Sequence, residues 1–138
     1  MNVFFDTNVL MDVLLDRPPF VAESRKVWFA AERGQIKGLV SALSFPNIYY
    51  IVRKTRGPEA AAAMMTMLRD TFTPVALDQQ ILNQAMDAPF PDFEDAIQHF
   101  SALRADARCL LTRNPDHFPR SRVQVLTPGE FLAAHPLQ

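Results

Sequence analysis

Short apolar runs alternate with longer stretches of helical periodicity along this chain. Residues 3–5, 38–41, 74–76, 108–111 and 123–126 read as strands, because brief apolar runs suit a sheet buried on both faces. Between them apolar residues recur at three- and four-residue spacing. That pattern predicts helices over 8–15, 22–33, 45–54, 59–71, 78–86 and 93–104, and 128–134 closes the chain. The gap before the last strand is the one without a helical pattern. Residues 59–71 are rich in alanine and methionine and strongly helix-forming, and Met64, Met65 and Met67 read as core or partner-facing packing. Strands that alternate with helices imply right-handed crossovers. The expected fold is therefore α/β, a three-layer αβα arrangement with a central parallel sheet of about five strands.

Composition narrows the class without altering that picture. With 138 residues, 49% hydrophobic and 21% charged, the chain suits a single globular domain over 1–138. No apolar run approaches the roughly 20 residues of a membrane span, and no basic start precedes an apolar stretch. The expectation is a cytoplasmic protein with no membrane partner. Cys109, the one cysteine, lies in Cys109-Leu110-Leu111 and reads as a small buried core residue in a reducing compartment. A net charge of −1 offers no whole-molecule attraction to nucleic acid, so such binding would need a local patch. Arg53, Lys54 and Arg56 form one cluster; Arg113, Arg120 and Arg122 form another. Each reads as solvated surface unless a site adjoins it. None of the four glycines builds a phosphate-cradling loop, and His99, His117 and His135 lack cysteines at zinc spacing.

The acids carry the chemistry. Asp6 follows Val3, Phe4 and Phe5 directly, which places a carboxylate at the carboxyl end of a buried strand, where open α/β sheets bind ligands. Thr7 and Asn8 are helix-capping residue types, so Asp6 is either part of a cap or part of a site. Asp92-Phe93-Glu94-Asp95-Ala96 opens a helix whose apolar stripe is Phe93, Ala96, Ile97, Phe100 and Leu103. Asp92 can cap it, yet three acids in four residues exceed one cap, and Asp95 falls off the stripe beside Gln98, His99 and Ala102. Leu110-Leu111-Thr112-Arg113-Asn114-Pro115-Asp116 repeats the order of strand, polar loop and acid. Carboxylates gathered at one sheet edge repel unless a cation joins them, and hard oxygen ligands favour Mg²⁺ or Mn²⁺. Such an ion can activate water for phosphoryl displacement. The competing reading is a set of unrelated caps.

In this order, Asp6-Thr7-Asn8, Ser41 with the polar-started helix after it, Asp92-Phe93-Glu94-Asp95 and Thr112-Arg113-Asn114-Pro115-Asp116 resemble the PIN-domain ribonucleases, including the VapC-type toxins. The resemblance implies a Mg²⁺- or Mn²⁺-dependent endoribonuclease cleaving single-stranded RNA, with the first strand central and the fourth beside it. It implies metal ligation by Asp6, Asp95 and Asp116, with Asp92 in an outer shell. Thr7, Asn8, Ser41, Thr112 and Asn114 would orient ligands, and Arg113 and Arg53 would steer the RNA backbone. An antitoxin protein is the implied partner, and a homodimer is a further one, with residues 45–67 supplying its interface.

One position departs from the family. The glutamate usual early in the helix after the second strand is Asn47 here, three residues after Ser44, where a capping box places Glu or Gln. Asn47 offers a carbonyl oxygen and no charge. The alternative reading is thus a catalytically weak PIN-like module that binds RNA or protein. A phosphatase that phosphorylates its own aspartate would need an acid at position 8, where Asn8 stands.

Overall fold

The computed structural model describes residues 1–137. Strands β1 (Asn2–Phe5), β2 (Lys37–Ser41), β3 (Thr73–Val75), β4 (Cys109–Leu111) and β5 (Gln124–Leu126) form one sheet in the order β3-β2-β1-β4-β5. Every neighbouring pair in it is parallel. The helices are α1 (Thr7–Leu14), α2 (Val21–Glu32), α3 (Ser44–Arg56), α4 (Pro58–Thr71), α5 (Gln79–Asp87), α6 (Phe93–Arg104) and α7 (Pro128–Ala134). Each expected element forms, with ends displaced by at most two residues. The stretch without helical periodicity holds a single 3-10 turn, Pro115–His117.

Strand alternation divides the core into two layers, since successive side chains point to opposite faces. Val3, Phe5, Val40, Cys109 and Leu111 pack with Leu10 of α1, Val27 of α2, Ile48 of α3, Leu68 of α4 and Phe131 of α7. Phe4, Leu39 and Leu110 pack on the other face with Ala102 of α6, and α5 joins α6 through Ile81, Ala85, Ala96 and Ile97. On the first face the Phe72 ring meets those of Phe5 and Trp28 edge-on, each at 4.9 Å between centroids. Gly38 passes beneath that ring. A Cβ there would lie 2.5 Å from it, so the close approach requires glycine.

Helix α6 departs from the expected stripe. Phe93 is half exposed, whereas Gln98, His99 and Ser101 are buried. The helix lies between the sheet and α5, so both of these surfaces cover it, and polar residues enter the interior with them.

From β1 the chain adds β2 and β3 to one side of the sheet, then crosses to place β4 and β5 on the other. The switch point therefore lies between β1 and β4. Phe5 pairs with Leu111 there, and the Asp6 backbone N–H donates to the Leu111 carbonyl at 2.9 Å. This register sets Asp6 and Thr112 side by side at the carboxyl edge. No helix among the described residues is long and apolar enough to cross a membrane.

Candidate active site

Asp6 occupies the N-cap position of α1, but its side chain makes no capping bond. Its Oδ2 instead accepts a hydrogen bond from Thr112 Oγ1 at 2.8 Å, and the residue is 5% exposed. The simple capping reading of Asp6 thus fails. Thr112 is the hub of this corner: its Oγ1 also accepts from the Asn114 backbone N–H at 3.2 Å and from Asn8 Nδ2 at 3.5 Å. Asn8 Oδ1 in turn accepts from the Arg113 backbone N–H at 3.3 Å. Asn8 and Thr112 thereby tie the start of α1 to the loop after β4. Burial raises the Asp6 carboxyl to about 7; the Thr112 bond opposes the shift, and the negative charges of Asp95 and Glu94 add to it.

Asp95 brings a second carboxylate from the first turn of α6. Burial raises it to about 6, Asp92 and Glu94 contribute in the same direction, and His117 opposes them. His117 Nδ1 stands 3.7 Å from Asp95 Oδ2. Asp92 is the N-cap of α6, its Oδ1 accepting from the Asp95 backbone N–H at 2.9 Å. That bond orients the turn bearing Asp95, so Asp92 is the helix cap that its sequence position allows.

Asp116 behaves differently from its expected partners. It is exposed on the 3-10 turn after β4, next to His117, whose ring stands by Asp95. Among the described residues, no three His, Cys, Asp or Glu side chains close around one point as a formed metal cage. The structure thus gathers Asp6, Asp95 and Glu94 into one field of negative charge, with Asp116 exposed on the turn that carries His117. Oxygen ligands of this kind, mutually repelling and half desolvated, fit a hard divalent cation.

Behind these acids a polar network crosses three helices. Thr7 Oγ1 and Ser44 Oγ lie 2.7 Å apart, and Gln98 Nε2 donates to Thr7 Oγ1 at 3.0 Å and reaches Ser44 Oγ at 3.5 Å. One turn along, Asn47 Nδ2 donates to Glu94 Oε1 at 3.2 Å. Helices α3 and α6 are therefore bridged by two polar rungs. The capping-box reading of Ser44 and Asn47 is overturned: Leu43 holds the N-cap position of α3 and the Ser44 hydroxyl is committed to Thr7. Ser41 is also relocated. Fully buried at the end of β2, its Oγ accepts from the Leu43 backbone N–H at 3.1 Å and shapes that turn rather than a ligand site.

Arg113 does not point free into solvent for steering. Its guanidinium stands 3.4 Å from Asp12 Oδ1 and 4.4 Å over the Phe20 ring. Asp12 is fully buried on α1, its carboxylate accepts no hydrogen bond among the described residues, and Arg17 supplies its other cation at 3.9 Å. Arg113 thus neutralises a buried charge and pins the loop after β4 to α1, while Arg53 stays exposed at the end of α3. Sequence reasoning missed Asp12, Ser44, Gln98, Glu94 and His117 as parts of this site. For Gln98 a signal existed: it lies three residues after Asp95 and four after Glu94, on the same side of a helix. Cys109 is buried and its thiol is pushed up to about 11, which fits an inert core residue.

A PIN domain family model matches residues 2–116. No curated protein matches the chain to significance. Among solved structures, a chain of VapBC2 from Rickettsia felis bound to a DNA fragment from its promoter is similar at TM-score 0.71 and 13% identity, covering 92% of this chain and 98% of that one. A toxin–antitoxin complex from Klebsiella pneumoniae is similar at 0.68 and 20% identity, covering 91% and 97%. Mycobacterium tuberculosis VapC20, a sarcin-ricin loop cleaving toxin, is similar at 0.63 and 13% identity, covering 78% and 86%. At such identities the likeness extends to the fold.

Proposed function

The chain belongs to the PIN-domain family, and on that premise we propose that it is a metal-dependent endoribonuclease of single-stranded RNA, the toxin of a toxin–antitoxin pair. The observation that carries this reading is Asp6: a buried carboxylate at the switch point of a parallel sheet, acted on by the negative charges of Asp95 and Glu94. A buried charge in that company is costly unless a cation answers it.

Asp6 and Asp95 would hold Mg²⁺ or Mn²⁺, with Glu94 adjoining and Asp116 contributing from its exposed turn. Such an ion, when bound, activates water and neutralises charge developing on a phosphodiester. The chain's own residues do the positioning. Thr112 engages Oδ2 of Asp6 and leaves Oδ1 free of that bond. Asp92 fixes the turn that presents Asp95. His117, if protonated, would compete with the ion for Asp95, and its place on an exposed turn lets it yield. Asn47 brings no charge of its own but holds Glu94, so a carboxylate still stands beside the first turns of α3. The toxin role rests on fold relatives, one of them a toxin–antitoxin complex and another a sarcin-ricin loop cleaving toxin. An antitoxin protein is the partner proposed with it, and exposed Tyr50, Ile51 and Met67 on α3 and α4 offer a surface for a second copy.

The test is hydrolysis of a single-stranded RNA in Mn²⁺, with Asp6→Asn and Asp95→Asn as controls. Cleavage should fall by about 10²-fold or more in each, the lower end of what loss of a proton-handling or charge-stabilising group costs. Asn47 and the exposed position of Asp116 favour a second reading, a binding module without turnover. RNA binding with no hydrolysis in Mg²⁺ or Mn²⁺ would establish that reading.

A further inference from the structure

One turn along α6 from Asp95, a cavity of about 390 Å³ opens between α6, the end of α5 and the loop leading into β5. Phe90, His99 and Phe100 form its aromatic side, and Arg120 and Arg122 stand on the loop side. Four residues separate Asp95 from His99, about 6 Å along a helix axis, so the cavity adjoins the carboxylate site. Its volume falls within the range of small-ligand pockets, roughly 300–1,000 Å³.

The loop is held in one shape. His99 Nε2 accepts the Arg122 backbone N–H at 3.2 Å. The Ser121 hydroxyl donates to the Val123 carbonyl at 2.6 Å and accepts the Val123 N–H at 3.0 Å. Arg120 adopts a left-handed backbone, φ 55°, a conformation uncommon for a residue with a side chain. Arg120 and Arg122 thus face one cavity from alternate positions. Neither forms an ion pair among the described residues, whereas Arg17, Arg25, Arg69, Arg104 and Arg113 all do. Because Nε2 accepts, the His99 proton lies on Nδ1, a buried donor with no acceptor among the described residues.

We propose that this cavity is a subsite for a nucleotide flanking the scissile bond of a single-stranded RNA. The base would stack on Phe90, and the adjoining phosphate would lie against Arg120 and Arg122. Aromatic faces stack on any base, and unpaired guanidinium groups bind phosphate oxygens bidentately. Asp87, the one acid of the lining, offers an acceptor to a base amino group. The inference rests on the single-strand ribonuclease reading and adds to it a place where the strand is gripped outside the carboxylates.

The test measures binding of a short fluorescein-labelled single-stranded RNA to the full chain by anisotropy in EDTA, so that metal-dependent cleavage does not intervene. Arg120→Ala/Arg122→Ala should weaken binding about tenfold or more and lower the salt dependence by about one released ion per lost contact. Phe90→Leu should weaken binding of the intact strand by roughly fivefold or more. On a strand with an abasic nucleotide at the sensitive position, it should cause no further loss. The arginine variants alter exposed side chains and keep the test valid if Phe90→Leu proves unstable. RNA binding unchanged in the arginine variants overturns the subsite and leaves the nuclease reading standing. An absence of RNA binding by the wild type overturns both. If polyglutamate binding weakens in these variants while RNA binding does not, the cavity serves an acidic protein segment and the proposal fails.

Discussion

Thr112 decides what kind of carboxylate Asp6 is. Its hydroxyl is the side-chain donor the buried Asp6 receives, and the same oxygen receives the Asn114 N–H. Thr112→Val keeps the shape and removes the hydroxyl, leaving a buried carboxylate and a backbone donor short of partners. The expected cost is about 1–3 kcal/mol, read as a lower urea midpoint. Asp6→Asn should act in the opposite sense on the metal-free protein. An asparagine oxygen can still accept from Thr112, while the charge that burial, Asp95 and Glu94 all oppose is gone. The melting temperature without metal should rise, and Mn²⁺, expected to raise it in the wild type, should give this variant no further rise. A metal-free Asp6→Asn protein less stable than wild type would show that the carboxylate is already compensated.

At the scale of elements, the site is a junction of helix ends on a sheet edge. Helix α3 meets α6 through the rungs Ser44–Gln98 and Asn47–Glu94. Sequence spacing alone suggests that Asn47→Glu would complete a capping box with Ser44. The structure reverses that expectation, because Ser44 is not the cap and position 47 faces a glutamate. Asn47→Glu should therefore set two carboxylates against each other and lower the stability of the metal-free protein, while enlarging the gain from Mn²⁺. Thermal melts with and without the ion check both halves. A variant stabilised equally in both conditions would return position 47 to a capping role.

Across the whole molecule, polar groups inside the second helical layer tie stability to pH. His99 is 2% exposed, and burial, with Arg122 nearby, lowers it to about 4 from the ordinary 6.5. The unfolded chain then binds a proton between those values that the folded protein does not. The contribution is present in full above about 6.5 and is lost as pH falls toward 4. Urea unfolding from pH 7 to 4 should thus show wild-type stability declining more steeply than His99→Gln, by up to one proton. Glutamine can keep an acceptor for the Arg122 N–H, so the difference isolates the imidazole. Parallel curves would mean that His99 is protonated within the fold. With a net charge of −1 the molecule as a whole exerts little pull on RNA, so affinity should follow local groups such as Arg120 and Arg122.

Local periodicity was enough to specify the layers. Apolar runs of sheet length between helical stretches allow few arrangements besides a parallel sheet covered on both faces. Strand polarity then puts Asp6 at the carboxyl edge, whatever its side chain does. The capping pattern at Asp92 was legible for the same reason, since donor and acceptor are three residues apart. Tertiary structure decided which groups answer which charges. Asp6 and Thr112 are 106 residues apart, and they meet because Phe5 and Leu111 pair in register. Arg113 reads as a steering residue until Asp12, buried one helix away, claims its charge. Gln98 and His99 become interior residues when α5 and the sheet enclose α6, and on the turn after β4 it is His117, beside the exposed Asp116, whose ring reaches Asp95. Sequence spacing fixes which way a residue faces within its own element. Its partner, its burial and its ionisation depend on elements brought together from distant parts of the chain, and no local pattern encodes that.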